Sequence, residues 1–224
     1  MRHELVTLPD GSSLAIRAAE VVAAQVRSVV ADRGGFTFAV SGGHTPWAMF
    51  AELTKEEMPW SAMQIFQVDE RVAPDGDQNR NLTHLRDALG DVAAEVVAMP
   101  VNEGDLEAAA DSYASRLPEA FDLIHLGLGP DGHTASLVPG DPVLDVTDRL
   151  VGVTNPYQGH RRMTLTYPGL ARADAIIWLV TGADKRDALT RLLAGDVSIP
   201  AGGVQAERST ILADVAAAGD LKSP

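Results

Sequence analysis

The residues best suited to catalysis lie in a glycine-rich segment, residues 127–134, directly after an apolar stretch of the chain. His133 follows a glycine, and Asp131 lies two residues before it. Imidazole titrates near neutral pH, so this histidine could take a proton from water and later return it. A neighbouring carboxylate could hold its tautomer and stabilise the imidazolium. His133 is therefore the candidate general base, although a histidine that only caps a turn remains the alternative. His125, inside the apolar stretch, is expected to be buried and hydrogen-bonded.

A second segment, residues 41–45 with the sequence SGGHT, could bind a phosphate group. It follows an apolar stretch and precedes Pro46, a residue that suits the first turn of a helix. A turn at Gly42 and Gly43 would leave backbone N–H groups unpaired at a helix N-terminus, where the helix dipole attracts anions. The hydroxyl groups of Ser41 and Thr45 could join them. The P-loop pattern is absent, and a plain turn capped by Ser41 is the alternative.

Charged residues at other predicted strand and helix ends supply further candidates. Asp69, Glu70 and Arg71 are adjacent. A carboxylate here could do acid–base or orienting work, and Arg71 could bind an oxyanion through its planar guanidinium. A salt-bridged loop is the alternative. Arg162 precedes an apolar run, and Lys185 lies in the first turn of a predicted helix. A lysine there opposes the helix dipole unless an anion lies beside it, and a solvated surface lysine is the alternative.

The elements that must position these residues alternate between strands and helices. Strands are predicted over residues 36–40, 64–68, 96–99, 121–128, 150–154, 163–166, 175–181 and 210–212. Helices are predicted over residues 12–32, 46–53, 81–89, 105–117 and 183–193, and near the C-terminus. This alternation predicts an α/β fold with a Rossmann-like, mostly parallel sheet and helices on both faces. No composition break or repeat divides residues 1–224, so one domain is expected. The candidate segments follow strands, and ligands of such sheets bind at the carboxyl ends of the strands.

Composition narrows the class of protein. Of the 224 residues, 46% are hydrophobic and 22% are charged, which is typical of a folded protein. The net charge of −13 disfavours nucleic acid and anionic membranes as partners. Without cysteine, the chain has no thiolate nucleophile and no cysteine-based metal site. The first residues contain Glu4, Pro9 and Asp10 and no apolar run, so no signal peptide is expected, and a cytoplasmic location is favoured.

Taken together, the segments resemble the 6-phosphogluconolactonase family, within the wider group that includes glucosamine-6-phosphate isomerase/deaminase. The family patterns S-G-G-x-T-P, D-E-R-x-V-P to S-N, G-x-G-x-D-G-H-x-A-S-L-F-P-G, R-x-T-L-T and G-x-x-K are similar to residues 41–46, 69–81, 127–140, 162–166 and 182–185. The resemblance covers nearly the whole chain from about residue 35. Several ordered motifs at matching spacing are far more specific than any one of them.

Three positions depart from the family patterns. Ala73 replaces the usual valine and Val138 the usual phenylalanine. Both replacements exchange one apolar side chain for another, so they are expected to alter packing more than chemistry. Arg80 replaces the usual serine before Asn81. It is expected to add a cation beside the ligand site.

The resemblance implies hydrolysis of 6-phospho-D-glucono-1,5-lactone to 6-phosphogluconate in the oxidative pentose phosphate pathway, with neither a metal nor an organic cofactor. The expected partner is the sugar-phosphate lactone, bound by a monomer or weak homodimer. His133 would activate water, with Asp69 or Asp131 orienting it, and Arg71 would bind the carbonyl oxygen or the phosphate. The implied substrate-binding and phosphate-binding residues are Ser41, Gly42, Gly43, Thr45, Asn81, Gly132, Arg162 and Lys185.

Three other functions are alternatives to this one. The deaminase relatives show D-E-Y and H-I-A-F-N, so Arg71 and the pair Ser136-Leu137 favour the lactonase. A non-catalytic sugar-phosphate sensor could dispense with His133. A nicotinamide-dependent oxidoreductase would need a glycine-rich turn after the first strand and an acidic residue about 20 positions further on, which the sequence lacks.

Overall fold

Seven parallel strands form the central sheet of the computed structural model, which describes residues 3–221. Numbered in chain order, they are β1 (His3–Leu8), β2 (Phe36–Val40), β3 (Met63–Gln67), β5 (Glu95–Val97), β6 (Leu123–Gly127), β9 (Ala175–Val180) and β10 (Arg208–Asp214). Their spatial order is β1-β10-β9-β6-β2-β3-β5. The chain leaves β2 and β6, which are neighbours, toward opposite sides of the sheet. The crevice at the carboxyl ends of such a strand pair is the usual ligand site of an open α/β sheet.

A separate, antiparallel sheet covers part of this crevice. It contains β4 (Asp69–Arg71), β7 (Val151–Val153) and β8 (Arg162–Leu165), in the order β4-β8-β7. The sequence predicted the last two of these strands, but it did not predict that they form a sheet of their own. In the register of β4 and β8, Arg71 lies opposite Arg162. The small sheet therefore brings together two cations that are far apart in the sequence.

Helices cover both faces of the central sheet, as the sequence predicted. The helices α1 (Gly11–Arg33), α2 (His44–Leu53) and α3 (Asn81–Leu89) contribute to one apolar cluster. The helices α4 (Leu106–Ala114), α5 (Tyr167–Leu170), α6 (Arg186–Leu193) and α7 (Val215–Ala218) contribute to the other, together with the small sheet. Two apolar layers thus fix the sheet from both sides and leave its carboxyl edge to the loops. Within residues 3–221, no helix has the length and apolar character needed to cross a membrane.

The first helix shows how the sequence pattern produces this packing. Leu14, Ala18, Val22 and Val26 recur every four residues and are all completely buried. The side chain of Asp10 accepts a hydrogen bond from the Ser13 N–H at 2.7 Å and caps the helix N-terminus. The predicted helix over residues 12–32 is therefore confirmed to within one residue at each end.

Strand β1 was not predicted from the sequence. This strand pairs only with β10 and forms the edge of the sheet. An edge strand is half exposed, so its sequence, HELVTL, lacks the apolar run that marked the inner strands. The predicted helix over residues 183–193 is also modified, because it begins with a 3₁₀ turn, Ala183–Lys185, before α6.

Candidate active site

A cavity of about 430 Å³ opens at the carboxyl ends of β2 and β6, bounded by the small sheet. The residues proposed from sequence, except Asp131 and Gly132, all line it: Ser41, Gly42, Gly43, Thr45, Asp69, Arg71, Asn81, His133, Arg162 and Lys185. Five separate segments contribute these residues: 41–45, 69–81, 133, 162 and 185. The fold therefore assembles one site from segments that lie up to about 140 residues apart in the chain.

The loop after β6 presents His133 to this cavity and pairs it with Asp131. The Nδ1 atom of His133 lies 2.6 Å from the Asp131 Oδ1 atom. A Cβ atom on Gly129 would lie 2.1 Å from that Nδ1 atom, so only glycine leaves room for the ring. Burial alone would raise the pKa of Asp131, but the hydrogen bonds from His133 outweigh it and lower the pKa below its ordinary value. The carboxylate thus stays ionised beside the imidazole, on the side away from the cavity.

Asp69, the other carboxylate considered for orienting His133, has a different partner. Its Oδ2 atom accepts a hydrogen bond from the Ser136 Oγ atom at 2.7 Å, and its side chain is buried. The geometry therefore favours Asp131 as the carboxylate that orients the imidazole, while Asp69 lines the cavity floor.

Gly132 supports the loop and does not line the cavity. Its carbonyl group accepts a hydrogen bond from the Ala201 N–H at 3.0 Å. A Cβ atom here would lie 2.5 Å from Cβ of Ile199. This glycine lets the loop that carries His133 pack against residues 199–201.

The N-terminus of α2 has the features of an anion-binding site. Its cap residue, Gly43, supplies no side chain to pair with the N–H groups of the first turn. The Oγ atom of Ser41 is buried, lines the cavity and has no hydrogen-bond partner among the described residues. A Cβ atom on Gly42 would lie 1.8 Å from the Asn81 Oδ1 atom, so glycine permits the close approach of this turn to Asn81. Thr45 and Thr181 both line the cavity, and their hydroxyl groups share a hydrogen bond, with the two oxygen atoms 3.0 Å apart.

The buried carboxylate of Glu70 organises the opposite side of the cavity. Its Oε1 atom accepts hydrogen bonds from the N–H groups of Arg71 and Asn81, both at 2.7 Å. Its Oε2 atom accepts another from the Leu82 N–H at 2.8 Å, so the side chain caps the N-terminus of α3. Glu70 is completely buried and does not line the cavity. It thereby fixes the backbone of the two cavity residues, Arg71 and Asn81.

Arg80 lies behind the cavity, which corrects the expectation that it adds a cation beside the ligand. Its side chain is only 2% exposed, and its Nε atom lies 3.1 Å from the Glu70 Oε2 atom. It also donates to the carbonyl of Ala73 at 2.9 Å and pairs with Asp75 at 3.0 Å. A buried carboxylate needs a compensating charge, and Arg80 supplies it to Glu70.

Three cations line the cavity. Arg71 donates through Nη1 to the Asn81 side-chain oxygen. Arg162 is buried, and desolvation lowers its pKa from the ordinary value. Lys185 extends from the turn before α6, and its Nζ atom lies 2.6 Å from Asp184. This concentration of positive charge in a chain of net charge −13 favours an anionic ligand.

Four polar residues of the cavity had no role assigned from the sequence: His44, Thr134, Gln158 and Thr181. The first two lie within the glycine-rich segments already singled out. Thr181 is the last residue of the predicted strand over residues 175–181, so its position at a carboxyl strand end was a usable signal. Gln158 lies in a loop, where Gly159 after it was the only local sign of a turn. In the described part of the chain, no group of three or more His, Asp or Glu side chains is arranged to hold a metal ion.

Fold and cavity together define an α/β protein with a cavity lined by cationic side chains at the carboxyl edge of a parallel sheet. The sequence model described as "Glucosamine-6-phosphate isomerases/6-phosphogluconolactonase" matches residues 9–213. The chain belongs to this family.

The relatives within the family agree with this assignment. A 6-phosphogluconolactonase of Nostoc sp. is 32% identical over 239 residues, which cover 99% of this chain and 99% of that protein. One of Synechocystis sp. is 36% identical over 208 residues, covering 87% and 86%. The crystal structure of a 6-phosphogluconolactonase from Shewanella baltica superimposes with a TM-score of 0.86 at 28% identity, covering 95% of this chain and 97% of that one.

Proposed function

We propose that the chain is a 6-phosphogluconolactonase, which hydrolyses 6-phospho-D-glucono-1,5-lactone to 6-phospho-D-gluconate in the oxidative pentose phosphate pathway. The relatives of similar length carry this name. The observation that carries the proposal is the His133–Asp131 pair, 2.6 Å apart, at the wall of a cavity lined by Arg71, Arg162 and Lys185. An acid–base pair facing a cationic cavity suits a substrate that carries both an ester and a phosphate.

The phosphate would be held by groups that do not change during the reaction. The N-terminus of α2 offers backbone N–H groups and the unpaired Ser41 hydroxyl. Lys185 adds a charge at the cavity wall, and Arg71 and Arg162 face one another across β4 and β8. Such contacts bind substrate and transition state equally and anchor the lactone within reach of His133.

His133 would act as the general base. Its Nδ1–H donates to Asp131, which leaves Nε2 with a lone pair to accept a proton from water. The resulting hydroxide attacks the lactone carbonyl carbon, and the carbonyl oxygen becomes an oxyanion that a cation of the cavity stabilises. The imidazolium then gives its proton to the ring oxygen as the carbon–oxygen bond breaks. This produces the free acid and returns His133 to its neutral form.

One chain supplies the whole cavity, which supports a monomer or weak homodimer as the active form. No residue of a second copy is required for any of the steps above.

The test is an assay of the purified protein on freshly generated 6-phosphogluconolactone, corrected for spontaneous opening. We expect proton release well above the uncatalysed rate, saturating with substrate. Glucosamine 6-phosphate is the matched alternative substrate, assayed by ammonia release. Ammonia release without lactone hydrolysis would assign the chain to the deaminase side of its family, and no acceleration of either reaction would reject enzymatic function for this site.

A further inference from the structure

The chain between β7 and β8 reaches the cavity through a tight hairpin turn. The Tyr157 N–H donates to the His160 carbonyl at 2.9 Å, and the His160 N–H donates back to the Tyr157 carbonyl at 3.3 Å. Gln158 and Gly159 are therefore the two central residues of the turn. Their φ angles are 51° and 87°, as in a type I′ turn. The first of these positions strongly prefers asparagine, aspartate or glycine, so a glutamine there is unusual.

Gln158 has a left-handed backbone conformation and also lines the cavity. Within residues 3–221, only two residues other than glycine have a positive φ, Ala135 and Gln158, and both line the cavity. Backbone strain of this kind persists where the surrounding structure imposes it, and it is concentrated at ligand sites. The strained position therefore suggests that the placement of the Gln158 side chain matters to the ligand.

The same wall of the cavity holds the Gln158 side chain in place. The Nη2 atom of Arg162 donates to the Gln158 Oε1 atom at 3.3 Å. The Arg162 guanidinium lies 4.9 Å from the centre of the Tyr157 ring, and that ring meets the His133 ring edge to face at 5.7 Å. The carboxamide thus belongs to the assembly that presents the general base.

One end of this carboxamide is available to a ligand. The other carboxamide of the cavity, Asn81, is held at both ends, because its nitrogen donates to the Asp69 carbonyl at 2.9 Å and its oxygen accepts from Arg71. Gln158 uses only its oxygen, and its Nε2 group has no hydrogen-bond partner among the described residues. A neutral amide donor at an exposed cavity mouth suits a hydroxyl group of the sugar.

We propose that Gln158 is a specificity-determining residue that donates a hydrogen bond from Nε2 to the hydroxyl group on carbon 2 of the sugar lactone. The proposal rests on the lactonase function proposed above. Carbon 2 is adjacent to the carbonyl carbon, and Gln158 directly follows Tyr157, whose ring contacts His133. With the carbonyl carbon placed beside His133, the hydroxyl on carbon 2 would be the one that faces this wall.

The test compares two substrates, 6-phosphogluconolactone and its 2-deoxy analogue, across matched variants. Gln158→Gly removes the carboxamide and relaxes the backbone, so it keeps the turn. Gln158→Asn keeps both the turn and the carboxamide but withdraws the amide by one methylene group. Gln205→Gly is the control, because it removes the same side chain from an exposed loop before β10.

We expect Gln158→Gly and Gln158→Asn to lower kcat/KM for 6-phosphogluconolactone by about fivefold to tenfold, mainly through KM, because the lost contact is an uncharged hydrogen bond. On the 2-deoxy analogue the loss should stay below about twofold, since the partner hydroxyl is absent. The control should match the wild type on both substrates. An equal loss on both substrates, or no loss on either, would overturn the assignment of Gln158. Absence of wild-type turnover would instead reject the lactonase function itself.

Discussion

Strand β6 and the loop after it each carry a histidine, and the two differ in every property that matters for proton transfer. His125 is completely buried between β2 and β9, where Val40 and Ile177 are its neighbours in register. Neither of its ring nitrogens has a hydrogen-bond partner among the described residues. His133, eight positions later, faces the cavity and is paired with Asp131. The same side chain is inert in one place and suited to catalysis in the other.

The difference arises from solvation and charge. Burial disfavours the imidazolium and lowers the pKa of His125 to about 3, so it stays neutral throughout the physiological range. The expectation that His125 is buried is confirmed, but the expectation that it is hydrogen-bonded is wrong. An apolar sheet interior offers it no polar partner, because the strand hydrogen bonds occupy the nearby backbone groups.

The largest effect should follow from removing the cavity histidine. His133→Ala is expected to lower kcat by about 100- to 10,000-fold, because general acid–base catalysis contributes on that order. Steady-state assays on 6-phosphogluconolactone measure it, with binding of 6-phosphogluconate as the check that the cavity persists. His125→Leu is the matched control and should keep kcat within about twofold. Near-normal turnover by His133→Ala would remove the assigned base.

A smaller loss of kcat is expected when Asp131, the carboxylate partner of His133, is neutralised. Asp131→Asn keeps the shape of the side chain but removes the charge that stabilises the imidazolium and fixes its tautomer. We expect kcat to fall by about 10- to 100-fold with KM nearly unchanged, because Asp131 lies behind the ring and outside the cavity lining. A variant that raises KM at constant kcat would show that Asp131 serves substrate binding instead.

The smallest expected effect concerns stability and its pH dependence. His125→Leu replaces an unpaired polar ring by an apolar side chain and should increase the free energy of unfolding by about 1–3 kcal/mol at pH 7. The folded pKa of His125 is about 3 against 6.5 for the ordinary group. Between these values the unfolded chain binds a proton that the folded chain does not, so the wild type loses stability as the pH falls below 6.5.

The leucine variant lacks this proton uptake, so its advantage should grow by up to about 1.4 kcal/mol for each pH unit below 6.5. Urea denaturation of both proteins at pH 7, 6 and 5 measures the difference between their free energies of unfolding. The contributions of all other titratable groups cancel in this difference. A difference that stays constant or shrinks toward pH 5 would show that His125 has a partner or reaches water.

Much of the architecture could be predicted because it depends on local patterns. The periodicity of α1 and the apolar run of β2 give bounds within a residue of those observed. The edge strand β1 was missed because half exposure removes the apolar signal. The small antiparallel sheet was not predicted, because the pairing of β4 with β8 joins residues about 90 positions apart, and no local property specifies such a partner.

The residues of the candidate site also fall into those that the sequence could predict and those that it could not. His133, the glycine turn at residues 42–43 and Lys185 were all visible as chemical types placed after strands. Arg80 was misplaced because its sequence neighbours do not reveal that a buried carboxylate, Glu70, draws its guanidinium inward. Gln158 was missed because its importance depends on contact with Arg162.

The sequence by itself determined the α/β alternation, the family and the chemical groups available for a sugar-phosphate substrate, since periodicity and motif spacing are properties of short segments. Only the tertiary structure decided which carboxylate pairs with His133, where the Arg80 charge lies and which carboxamide keeps a free donor. Those outcomes depend on burial and on distances between segments far apart in the chain. Both are set by how the two sheets pack together, and no local pattern encodes them.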